Sequence, residues 1–196
     1  RGQLRIPNVL AQIDYRRKIT RQSLVTPYKV LYNVSGTNTA ATVLNISGIS
    51  GSNTGQNDLG VQAFVADYET YYYETAEGYE AYYLAAVINS QWLDAAIKPL
   101  QARGLWGPRH ISKHIWKLPI PRFDANNSPH QQLAELGQEC HRLVAEVLPE
   151  LAARYRSTGK IRGEVRRLLA GPLAEIDGLV RGMLNLASEA GHGPRR

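Results

Sequence analysis

Twenty-three Lys and Arg, five His and one Cys are the residues from which a reactive or anion-binding centre could be built in these 196 residues. His110 and His114 stand four apart, a spacing that can put two imidazoles on one helical face. No HExxH pattern frames them and no third ligand accompanies them, so hydrogen bonding or phosphate contact outweighs a metal site as their expected role. The single Cys140 cannot form an internal disulfide, and its place in a helical pattern reads as a packed thiol. No GxxxxGK[ST] or GxGxxG phosphate loop occurs, and no GxSxG nucleophile elbow. The chain carries no recognisable catalytic motif of its own.

The cations are grouped. Residues 1–32 hold seven Lys/Arg against Asp14 alone, and residues 101–124 hold five against Asp124. Between them, residues 33–100 hold seven acids and only Lys98. Two basic segments brought together would form one positive face able to neutralise phosphates. Solvated surface charge is the plainer alternative. In the first reading, Arg pairs bidentately with guanine, Asn with adenine, and Lys and His bind phosphate. The candidates are Arg16, Arg17, Lys18, Arg21, Lys29, Asn33, Asn38, Arg103, Arg109, His110, Lys113 and Lys117. Trp106, between Gly104 and Gly107, either wedges into DNA or plugs the core. Tyr71, Tyr72 and Tyr73 lie in the acidic segment and read as strand packing.

Positioning these residues requires an α+β fold. A β-rich half over about residues 5–75 is expected, with strands at Val9–Tyr15, Lys29–Val34, Ala40–Leu44 and Val61–Tyr73. Ser35–Asn38 reads as a hairpin tip, and Ile46–Gly60 as a long polar loop. Helical periodicity takes over near Glu77 and runs to about Lys98. Gln101–Pro108 is a Gly-punctuated loop, and Leu118-Pro119-Ile120-Pro121 must be extended. A helix over about 129–155 should start at a Ser128 cap, with Gln131 completing a capping box. A last helix over 161–186 carries the stripe Val165, Leu169, Ile176, Val180 and Met183, with Pro172 set to kink or split it. Residues 191–196 read as a loose tail. No apolar run approaches the ~20 residues that span a bilayer, and a cytoplasmic location is expected.

The succession YYLAAVINS (Tyr82–Ser90), RGLWGPRHISKHIWKLPIP (Arg103–Pro121) and FDANNSPHQQLAEL (Phe123–Leu136) resembles the C-terminal target-recognition region of bacterial restriction-modification N6-adenine DNA methyltransferases, fused restriction-methylation enzymes included. PYKVLYNVSGTNTAATV is similar to their recognition strands, and EIDGLV at Glu175–Val180 to their closing helix. The resemblance covers about residues 25–185. It implies a DNA-binding domain over 1–125 and a helical region over 126–196. It further implies sequence-specific binding of double-stranded DNA, and a methyltransferase catalytic domain or subunit as partner. The family's Asn/Asp-Pro-Pro-aromatic tetrapeptide is absent, so no catalytic residue and no cofactor are expected in these residues. S-adenosylmethionine belongs to a domain expected upstream of Arg1. The alternative is a protein-interaction module that docks a catalytic subunit without touching DNA.

Overall fold

The structure, a computed structural model, describes residues 8–46, 63–67, 69–101, 103–104, 107–108 and 110–190. It is α+β, and the change from strand to helix falls near Glu77 where the periodicity changes. Strands β1 (Tyr28–Asn33), β2 (Ala41–Asn45) and β3 (Thr70–Thr75) form an antiparallel sheet in the order β2-β1-β3. Val30 stands opposite Val43 on one side and Tyr73 on the other. Alternation then puts Tyr28, Val30 and Tyr32 on one face, and Lys29 and Leu31 on the other. The first face packs against helix α2 (Gly78–Asn89), which in turn crosses the long helix α4 (Ser128–Arg154). At that crossing a Cβ on Gly137 would come within 2.5 Å of the Tyr82 carbonyl oxygen, so only glycine permits the approach.

Several elements depart from expectation for local reasons. Val9–Ile13 is a short helix, α1, where a strand over Val9–Tyr15 was expected. Its Leu-Ala-Gln centre favours helix, and Gln12 N–H finds the Asn8 carbonyl at 3.0 Å without any neighbouring strand. The ladder of β3 starts only at Thr70; Val61, Gln62 and Tyr68 lie outside the described residues, as does most of the polar loop after Ile46 and the whole tail from Gly191. The helix expected through Glu77–Lys98 breaks at Ser90. There the hydroxyl accepts from Leu93 N–H at 3.1 Å and donates to the Val87 carbonyl at 2.9 Å, which starts α3 (Gln91–Ile97). The cap of α4 is Asn127 rather than Ser128, accepting from His130 N–H at 3.2 Å. Gln131 reaches the Ala125 carbonyl instead of closing a capping box. The last helix is split at Leu169 into α5 (Thr158–Leu168) and α6 (Ala170–Ala190). Pro172 lacks the N–H that would bond the Leu168 carbonyl, and its ring crowds that same carbonyl.

The expected stripe is sunk in the protein's own core. Leu169, Ile176, Val180 and Met183 are buried, while Val165 is half-buried. One apolar cluster takes Val30 and Tyr32 from the sheet, Tyr83 and Ile88 from α2, Leu133 from α4 and Leu184 from α6. The core therefore continues across residue 125. Leu118 and Ile120 of the LPIP segment pack against it, and the Tyr83 hydroxyl donates to the Pro121 carbonyl at 2.9 Å. Among the described residues, no helix is long and apolar enough to cross a membrane.

Candidate nucleic-acid interface

The N-terminal basic segment is a structured turn. Asp14 accepts from Ile19 N–H at 2.9 Å, Thr20 N–H at 3.1 Å and the Thr20 hydroxyl at 2.7 Å. The Thr20 hydroxyl and these amides hold the Asp14 carboxyl below the ordinary carboxylate value. Inside the turn, Arg16 and Arg17 take φ of 60° and 58°, a left-handed conformation that ordinary side chains seldom adopt. Both arginines are exposed, as is Arg21. Lys18 is half-buried, its ammonium 5.5 Å from the centre of the Tyr71 ring.

From Tyr71 an aromatic series leads to the second basic segment. Tyr71 stacks on Tyr32 at 5.3 Å, and Tyr32 meets the edge of Trp116 at 6.2 Å. Trp116 Nε1 donates to the Tyr32 hydroxyl at 2.9 Å, and burial pushes that phenol up to about 12 despite this bond. Trp116 belongs to a 3-10 turn, Ser112–Lys117, that also carries Lys113 and the exposed Lys117. The chain enters this turn through a short hairpin, β4 (Arg103–Gly104) with β5 (Gly107–Pro108). It then crosses the end of β1, where Ile111 N–H donates to the Val34 carbonyl at 3.0 Å and exposed His110 bridges to Ser35. Lys18 and Trp116 thus tie the two basic segments to adjacent rings of one sheet face. Trp106 and Arg109 lie outside the described residues.

Three sequence candidates have other duties. Lys29 is fully buried; its ammonium donates to the Phe64 carbonyl at 2.9 Å, pairs with Glu74 at 3.0 Å and lies 5.8 Å from the Tyr72 ring centre. It cannot meet a phosphate, because its side chain is sealed beneath the sheet's polar cover. Asn33 spends its whole amide on the β1–β2 connection, donating to the Ser35 and Asn38 carbonyls and accepting from Ala40 N–H at 2.9 Å. That same amide nitrogen would lie 2.7 Å from any Cβ at Gly36, whose φ of 155° already favours glycine. Asn38 is half-buried and, with its amide oriented to satisfy both ends, accepts from Arg166 at 3.2 Å. Asp94 of α3 and Lys98, just after that helix, pin this tip through the Thr39 N–H, at 2.8 Å, and the Thr37 carbonyl. Asn89 grips both backbone groups of Ala41 at 2.9 Å.

Sequence reasoning passed over Trp116, which lies within the quoted RHISKHIWK stretch, and Arg122, exposed and close enough to influence the Tyr73 hydroxyl. The available signal was an aromatic ringed by His and Lys in a segment too short to bury it. Among the described residues, no group of three His, Cys, Asp or Glu could hold a metal ion. No family model matches this chain, and no curated protein or solved structure is significantly similar to it.

Proposed function

We propose that this chain binds double-stranded DNA sequence-specifically and serves as the target-recognition module of an adenine-methylating restriction-modification enzyme. The observation that supports the reading is the series Lys18–Tyr71–Tyr32–Trp116, which draws two separate basic segments to one face. Arg16, Arg17, Arg21 and Lys117 then supply phosphate contacts from a rigid base. Trp116, 44% exposed, offers an apolar edge beside them. Arg103, His110 and Lys113 belong to the hairpin, the bridge to Ser35 and the turn that would enter a groove. Exposed Leu24 and Val25, the latter 89% exposed, suit contact with the methyltransferase domain that would supply S-adenosylmethionine and the chemistry.

The test is a salt titration of duplex binding on a site selected from random DNA and on a scrambled control. Arg16→Ala/Arg17→Ala should weaken both equally and lower the salt slope by about two. Arg103→Ala or Arg109→Ala should cost about 1–3 kcal/mol on the selected site only. Wild-type protein that fails to bind duplex at low salt, or variants that all bind like wild type, would overturn the reading.

A further inference from the structure

A concavity lies beside the C-terminal half of α2, at Ala85, Ala86 and Asn89. It runs between the β1–β2 connection and helices α4, α5 and α6, with a volume of about 660 Å³, a size typical of small-molecule sites. Most of its wall is apolar and comes from residues such as Ala86, Val144, Leu148, Leu169 and Leu173. Gly137 also lines it, at the α2–α4 crossing. Cys140 and His141 also border it, but burial pushes the thiol up and holds the imidazole below its ordinary value, so both are neutral at pH 7.

The polar features of this cleft are one-sided. Among the described residues, its only charged lining groups are Arg162 and Arg166, four apart on α5, and no carboxylate lines it. Neither arginine takes part in an ion pair among the described residues, whereas Arg167 on the same helix pairs with Glu164. Arg166 approaches Asn38, which places a cation at the hairpin side of the cleft. Thr39 lines the same side, is only 7% exposed, and its hydroxyl has no hydrogen-bond partner among the described residues. That oxygen is closed off from the cleft, so the arginines are the polar groups a ligand can reach.

We propose that this cleft binds a small amphipathic anion, an apolar body with a carboxylate or phosphate head. The head meets Arg162 and Arg166, and the body lies along Val144, Leu148, Leu169 and Leu173. Paired cations at one side of an apolar wall match those two parts. None of the lining residues belongs to the Lys18–Tyr71–Tyr32–Trp116 series, so the test of this site does not rest on duplex binding.

The probes are decanoate, decyl phosphate and neutral decanol, titrated below their aggregation thresholds into the full chain and followed by methyl NMR. Decanoate should shift the Val144, Leu169 and Leu173 methyls and bind about tenfold more tightly than decanol, since charge-assisted bonds are the stronger kind. Arg162→Ala/Arg166→Ala should erase that difference while leaving decanol binding unchanged. Comparison of decanoate with decyl phosphate identifies the preferred head. Shifts absent from these methyls, equal affinity for decanoate and decanol, or an arginine double variant that binds decanoate like wild type would each overturn the proposal. The arginines are exposed, so the double variant keeps its fold and its result is readable.

Discussion

The two faces of the three-stranded sheet are both covered, by opposite means. On one, Val30, Tyr32 and Val43 sink into the apolar cluster beneath α2, and Tyr73 packs against it. On the other, Lys29 is fully buried beside Glu74, under the extended segment that carries Phe64 and Ala66. That segment has no strand ladder. Gln22 stands in for one: its amide donates to the Ala66 carbonyl at 2.6 Å and accepts from Ala66 N–H at 2.7 Å. The first face is held by the non-directional removal of apolar surface from water. The second is held by a few directional bonds, each with a named partner. A hydrophobic face tolerates small shifts and resents lost volume, whereas a polar face tolerates nothing that leaves one partner alone.

The largest effect should follow from cutting the polar face at its centre. Lys29→Ala leaves Glu74, largely buried with a side chain 19% exposed, without its cation and leaves the Phe64 carbonyl without a donor. A loss of about 3 kcal/mol is expected in urea unfolding, the low end for a broken buried pair because Glu74 keeps some water. The double variant Lys29→Met/Glu74→Leu should regain most of it, since the uncompensated charge is then gone. A single variant that loses under 1 kcal/mol would show that the polar cover is decorative and the two faces are not equals.

The apolar side has its own weak point at Gly137. Alanine there must push α4 off the Tyr82 carbonyl, and about 2 kcal/mol should be lost, in the range of overpacking. The effect should spread to the Tyr83 and Leu133 signals and leave Lys29 and Glu74 undisturbed. A pH dependence of smaller size comes from two histidines at the margins of this packing. His141 Nε2 accepts from Val43 N–H at 3.4 Å and lies 2.9 Å from the Thr42 hydroxyl, while His130 Nδ1 accepts from Asp124 N–H at 3.1 Å. Burial holds both below the ordinary imidazole value, against a raising influence of Asp124 on His130. The folded state therefore prefers them neutral. Their contribution is complete above the ordinary value and is lost as pH falls from it through the lower folded value. Unfolding midpoints at pH 7.5 and pH 5 should differ in that direction, and less so in His141→Gln.

Periodicity made the helical half legible. Leu133, Leu169, Ile176 and Val180 were named from spacing alone, and all four are buried. The strands at Lys29–Val34 and Ala40–Leu44 were equally readable, because Val30 and Val43 sit among other β-formers. What sequence could not separate was a polar residue facing water from one facing a private partner. Lys29, Asn33 and Asn38 look like Arg16 and Lys117 in composition, yet the first is buried and the other two fold or brace the β1–β2 connection. Their partners lie in Phe64, Glu74, Ala40 and Arg166, and only the tertiary fold reveals which of these comes near. Trp116 was hidden for the same reason, since its value rests on Tyr32 and Tyr71 from two other elements.

The smallest predicted effect on global stability should be the sharpest local one. Asp14 organises the arginine turn as Gln22 organises the polar face, through one side chain bonding the backbone of another segment, but it does so in water. Its three bonds to Ile19 and Thr20 close a turn in which Arg16 and Arg17 are held left-handed. Such backbone persists only where its surroundings over-determine it. Asp14→Asn keeps a single weaker acceptor, so the turn should open while the sheet and helices stay folded. Hydrogen exchange at Ile19 and Thr20 should quicken, and the unfolding midpoint should hold. Acid should reproduce this in the wild type: the carboxyl sits below its ordinary value, so the turn is intact above that value and loosens as pH falls through the lower folded one. If the turn presents Arg16 and Arg17 to phosphates, Asp14→Asn should also weaken duplex binding without changing the number of released counterions by more than one or two. Exchange rates that stay unchanged in Asp14→Asn would mean the turn is held from elsewhere, and the likeness between the buried and the exposed polar clasp would fail.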